Sequence, residues 1–244
     1  MNGYNSKKLA GVFLLIVSTF ALLVIFHRIG CYFYEYDPEF APYDYGRLNF
    51  FSYFTIQSNV FVIFYLAVKS FALLGSKRCE KMIYNSALGA FATTYIIVTG
   101  VVFSGGVVIK LTPPFLWDTP VHSMSAFTQI FHHMIIPPFV LLLWLLQKDG
   151  KYLSYRKLPL FGIYPAVYSL FSVLRGKLSN PHFYAYPFYN PEFVYGIFHK
   201  DKAYGGEISG YLLMIPLFFA GIGFFIGVAA LVLLVHNKRV ERKN

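Results

Sequence analysis

Long apolar runs alternate with short polar stretches along this chain, and the runs define its elements. Six windows approach the roughly 20 apolar residues that a helix needs to cross a ~30 Å hydrocarbon core. They cover 9–29, 49–74, 85–109, 125–147, 158–175 and 208–236. The pattern predicts an all-α, polytopic membrane protein, with residues 1–244 forming a single domain of six transmembrane helices. No small-residue cleavage pattern follows the first run, so it reads as a retained span.

Polar residues inside the runs carry the chemical information. The second window opens with "FFSYFTIQSN" (50–59), which holds Ser52, Thr55, Gln57, Ser58 and Asn59. At about 100° per residue, Ser52, Thr55 and Asn59 share roughly a 60° arc with Ser58 close by, while Gln57 points away. Unsatisfied polar groups are costly against lipid, so this stripe is expected to face other helices. Ser and Thr hydroxyls commonly bond back to a preceding carbonyl. Asn59 has no such routine explanation.

The fourth window supplies a complementary face in "SAFTQIFHHMIIPPF". Ser125, Gln129, His132 and His133 lie within roughly a 100° arc, and Pro137 with Pro138 are expected to break the helix just below them. Ionisable residues in a membrane segment point to a functional site. Counted from the external ends of their spans, Thr55 lies ~9 Å deep and His133 ~12 Å deep at 1.5 Å per residue. A hydroxyl and an imidazole at one depth can serve as nucleophile and general base toward an acyl carbon. Sequence gives depth but not contact. In the fifth window Tyr164, Tyr168, Ser172 and Arg175 share a face, and Arg175 is positioned either to snorkel or to bind a carboxylate or phosphate headgroup.

Composition agrees with a bilayer: 57% of the residues are hydrophobic and 13% charged. Thirteen Lys and Arg fall in the N-terminal segment, the second and fourth connections and the C-terminal tail, against seven in the other connections, which also hold most of the acids. The positive-inside rule then puts both termini in the cytoplasm. Lys69 alone sits within a span, near its cytoplasmic end, where its stem can snorkel. The net charge of +10 is spread over short juxtamembrane clusters suited to topology and anionic lipid, so nucleic acid is not a partner. Cys31 and Cys79 fall on opposite membrane faces, which excludes an internal disulfide or a thiolate metal site. The 176–207 connection, rich in aromatics and Pro, reads as an ordered aromatic belt or a cap over a lipid-accessible site.

"FFSYFTIQSN", "FHHMIIPPFVLLLW", "YPAVYSLFSVLRG" and the "YPF" of 186–188, taken in order, resemble the androgen-induced family of integral membrane proteins, in particular its prokaryotic branch. The resemblance covers five of the six spans. It implies an intramembrane threonine hydrolase of fatty acid esters of hydroxy fatty acids in a prokaryotic cell membrane, with a Thr nucleophile and a His base and with no metal or organic cofactor. Membrane lipids and a lipid-like ester would be its partners. Carried over residue by residue, the family His fits His133, four before Pro137, with His132 as its neighbour. The family Thr fits Thr55, while an ungapped comparison anchored later in the helix brings Ser52 to that position. Asn59, Gln129, Tyr186 and Arg175 would give polar support. The alternative is a lipid-binding or transport protein that uses the same polar cavity without covalent chemistry; breaks expected at "SGG" (104–106) and "IIPP" (135–138) suit it, although no inverted repeat is visible.

Overall fold

The computed structural model describes residues 2–34, 42–85, 87–109, 114–147, 151–198 and 206–241. Lys110, Lys148, Lys200, Lys202, Arg242 and Lys243 of the charge pattern, the acids Glu35, Asp37, Glu39 and Asp201, and the Cys31 side chain lie outside the described set. The described residues are helical, with no strand among them. They form α1 (Asn2–Tyr34), α2 (Phe54–Leu73), α3 (Lys77–Asn85), α4 (Leu88–Val108), α5 (Pro120–Ile130), α6 (Ile136–Leu146), α7 (Leu160–Leu178), α8 (Pro191–Phe198) and α9 (Gly206–Glu241). A π turn, Phe131–Ile135, joins α5 to α6 as one continuous span. Six helices or helix pairs are long and apolar enough to cross a membrane.

Boundaries differ from the apolar windows where local chemistry intervenes. Tyr45 and Gly46 adopt positive φ, after which Gly46–Ser52 forms a 3-10 turn. Extended Tyr53 ends that turn, so α2 begins at Phe54 and Ser52 lies outside it. The fourth span starts earlier than expected, at Pro120. Thr119 caps it by accepting the His122 N–H at 3.1 Å, and Pro120 occupies the first helical position, where a missing N–H costs nothing. A hydrogen bond to the His122 ring, 2.7 Å away, holds the exposed Asp118 carboxyl below the usual carboxylate range. α4 runs without a break through residues 104–106, its backbone satisfied by the helix's own hydrogen bonds as a membrane span requires.

Two compact units are present. The first takes in residues 1–35, 55–155 and 228–244. Its core interleaves Leu14, Ala21, Val62, Leu66, Ile96 and Val140, one or two from each of four spans. Buried polar links add to this core. Ser70 Oγ donates to the Gly11 carbonyl at 2.7 Å, and Asn237 both donates to and accepts from the Leu153 backbone at 2.8 and 2.9 Å. Lys69 does not snorkel: at 6% exposure its Nζ donates to Gln147 Oε1 at 2.5 Å and to Tyr65 Oη at 3.3 Å. Internal acceptors within reach replace the headgroup water that snorkelling would seek. Cys79 is a free thiol, half-buried in α3.

The second unit takes in residues 36–54 and 156–227. Tyr168 of α7 clasps the turn ahead of α2: its Oη donates to the Ser52 carbonyl at 2.7 Å and accepts the Phe54 N–H at 2.9 Å. Arg175 donates to Asn49 Oδ1 and to the Asp44 carbonyl, and its guanidinium lies over the Tyr45 and Phe183 rings at 5.0 and 5.4 Å. A dense set of rings from 183–189 packs beside α7, where Tyr168 meets Tyr189 edge-on at 5.9 Å. Gly210 lets α9 approach the start of α8 so closely that a β-carbon there would overlap the Pro191 carbonyl.

That contact yields a paired prediction. Gly210→Ala is expected to destabilise the protein by about 1–3 kcal/mol, because backbone rather than a pliable side chain must move. Gly221→Ala, on the same helix and facing open space, should be neutral or raise stability by up to about 1 kcal/mol. Thermal unfolding in lipid nanodiscs reads both, and equal shifts would refute the close approach.

Candidate functional site

The site is built around a backbone problem in the fourth span. Pro137 and Pro138 lack N–H groups, so carbonyls one turn earlier lose their α-helical donors. The span does not break as expected. It gains one residue per turn over Phe131–Ile135, the Ile136 N–H reaching back to the Phe131 carbonyl, and the prolines then fall in the first turn of α6. The carbonyls left over are approached by other helices. Asn59 of α2 directs its Nδ2 toward the His132 carbonyl at 3.5 Å. From α4, Gly100 lies so close that a β-carbon on it would stand 3.2 Å from the His133 oxygen and 2.9 Å from Pro137.

This turn brings His133 to Thr55. Thr55 Oγ1 and His133 Nε2 are 2.9 Å apart, and His133 Nδ1 lies 2.9 Å from the Gln129 carbonyl. A carbonyl only accepts, so Nδ1 carries the proton and Nε2 presents its lone pair. The hydroxyl therefore donates to Nε2, which is the arrangement a general base requires. Phe103 of α4 stacks on the imidazole with centroids 3.8 Å apart and planes 16° from parallel, so the ring is held on its face as well as at both nitrogens.

The nucleophile's turn is equally constrained. The Thr55 carbonyl accepts from Asn59 Nδ2 at 2.8 Å and from Ser58 Oγ at 3.0 Å. Ser58 Oγ also lies 2.9 Å from Thr99 Oγ1, joining α2 to α4. Thr55 is 7% exposed, whereas His133 and Gln129 are half-buried.

The other sequence candidates lie elsewhere. His132 has no exposed surface; its ring nitrogens have no hydrogen-bond partner among the described residues, and its ring meets Phe131 edge-on at 5.5 Å. Ser52, Tyr186 and Arg175 belong to the second unit. There Ser52 contributes its carbonyl to Tyr168, and Tyr186 stacks on Phe188 at 5.1 Å and meets Tyr53 edge-on at 5.5 Å. Among the described residues no three His, Cys, Asp or Glu side chains gather as a metal-binding group. Phe103, Gly100 and Thr99 were not singled out from sequence. Their only signal was membership of an apolar helix rich in small residues and threonines, which many packed spans share.

In comparisons with known proteins, the chain matches no protein-family model, no curated protein and no solved structure.

The hydrogen-bond pattern predicts a distinct spectroscopic signature. In ¹⁵N spectra of the protein in nanodiscs, His133 should appear as the Nδ1–H tautomer, and Thr55→Val should shift its Nε2 resonance while leaving His132 in place. A shift confined to His132 would contradict the pairing.

Proposed function

We propose that the chain is an intramembrane hydrolase of lipid-like esters, with Thr55 as nucleophile and His133 as general base. The observation that supports this is the file from Thr55 Oγ1 through His133 to the Gln129 carbonyl, in which nucleophile, base and the group orienting the base lie in sequence at 2.9 Å each. The substrate class follows the resemblance to the androgen-induced family: fatty acid esters of hydroxy fatty acids, taken from the membrane itself.

In the reaction Thr55 Oγ1 attacks the ester carbonyl carbon. As the new C–O bond forms, the hydroxyl proton passes to His133 Nε2 and the carbonyl π pair moves onto oxygen. Collapse breaks the bond to the alcohol oxygen, which takes the proton from Nε2 and leaves an acyl-threonine. Water activated by the same nitrogen then releases the acid and restores Thr55. The Gln129 carbonyl stabilises the imidazolium in both halves, as an acceptor at Nδ1 must.

Six spans with a thirteen-to-seven distribution of Lys and Arg support a topology with both termini cytoplasmic; the resemblance alone implies that the membrane is a prokaryotic cell membrane. Reporter fusions at residue 244 and within 176–207 should report opposite sides.

A long-chain phosphonyl probe should label Thr55 covalently. Thr55→Val is expected to abolish labelling, Thr55→Ser to retain part of it, and His133→Ala to slow it by ~10²–10⁴-fold. Ser52→Ala and His132→Gln should leave the rate near that of the unchanged protein. Protein that binds long-chain esters yet neither labels nor hydrolyses them would instead be a lipid-binding or transport protein using the same polar site.

A further inference from the structure

Resting on the hydrolase reading, we infer that the Gln129 side-chain amide donates the hydrogen bond that stabilises the oxyanion formed when Thr55 attacks its ester. Acyl transfer needs such a donor, because the carbonyl oxygen takes on a full negative charge in a site from which water is largely excluded. The side-chain donors of Ser58 and Asn59, on the nucleophile's own helix, are already committed. Asn59 Nδ2 goes to the Thr55 and His132 carbonyls, and Ser58 Oγ lies against the Thr55 carbonyl and Thr99 Oγ1. Gln57, two residues beyond Thr55, is about 200° round the helix.

Gln129 differs in three respects. Its main-chain oxygen already orients His133, so its backbone is fixed relative to the base. Its side chain leaves the span one turn before His133, the turn that the His133 ring reaches back to through Nδ1. Its carboxamide has no hydrogen-bond partner among the described residues, although it stands within a membrane span where unpaired amides are costly. Exposure is consistent with this: Gln129 and His133 are half-buried, while Thr55 and His132 are buried. Nε2–H of the amide then meets the carbonyl oxygen as it becomes tetrahedral. The same amide contributes little to a planar ground state, which makes it a catalytic group rather than a binding one.

The test uses the full chain in lipid nanodiscs, as the unchanged protein and as Gln129→Glu, Gln129→Met and Gln129→Asn. A long-chain trifluoromethyl ketone, which forms a tetrahedral adduct, is compared with a non-cleavable ether analogue of the ester. Gln129→Glu and Gln129→Met should weaken the ketone and slow phosphonyl labelling by ~10²–10³-fold, with ether affinity changed less than about threefold. Gln129→Asn, which keeps a donor on a shorter stem, should fall between. An unchanged His133 tautomer signature in Gln129→Met separates a lost oxyanion donor from a displaced base. Labelling at the original rate in Gln129→Glu and Gln129→Met, or equal losses of ketone and ether binding, overturns the assignment and leaves the hydrolase reading intact. Failure of the unchanged protein to label overturns both.

Discussion

The arrangement depends on one constraint: within hydrocarbon, every main-chain N–H and C=O needs a partner from the protein itself. Pro137 and Pro138 break that requirement in the fourth span by withdrawing two donors. The chain adjusts with a π turn; Asn59 Nδ2 of α2 approaches the His132 carbonyl left behind, and Gly100 lets α4 pack closely on the same turn. Wider turns of this kind are rare and recur at functional sites, because they re-aim the side chains they contain. Here the side chain re-aimed is His133, and the helices drawn in by the freed carbonyls carry Thr55 and Phe103, its two principal neighbours.

The same need for internal partners accounts for other buried polar contacts. Ser58 and Thr99, Ser70 and the Gly11 carbonyl, and Lys69 with Gln147 each bind one helix to another inside the first unit. Association of helices in lipid gains little from the hydrophobic effect, so such contacts and close packing at small residues do the joining. Outward faces show the complement. Leu9, Ile16, Leu212 and Phe219 are all more than 60% exposed, as residues against acyl chains would be. In the second unit Arg175 has internal partners too, its charge met by Asn49, a carbonyl and two rings.

Much was legible from the order of residues. Each of the six apolar windows corresponds to a helical span, because a window of about 20 apolar residues has no other way to satisfy its backbone in a membrane. Helical periodicity also brought Thr55 and Asn59 onto one stripe, and Gln129 and His133 onto another. The ends were less legible. Thr119–Pro120 starts the fourth span early, and the positive φ of Tyr45 and Gly46 delays the second, since caps and turns respond to one or two residues rather than to average hydropathy.

By itself, then, the sequence determined an all-helical chain with six membrane-length spans and the two polar stripes, since period and length are local properties. Tertiary structure decided which members of those stripes meet. His132 and His133 differ by one position, about 100° of rotation, and an added residue in the turn shifts that rotation by an amount no helical wheel contains. Only the packed helices show that His133 reaches Thr55 while His132 is sealed beside Phe131. They alone show that Lys69 turns inward to Gln147 and that Phe103 lies flat on the imidazole, because each contact joins residues tens of positions apart and depends on where whole helices come to rest.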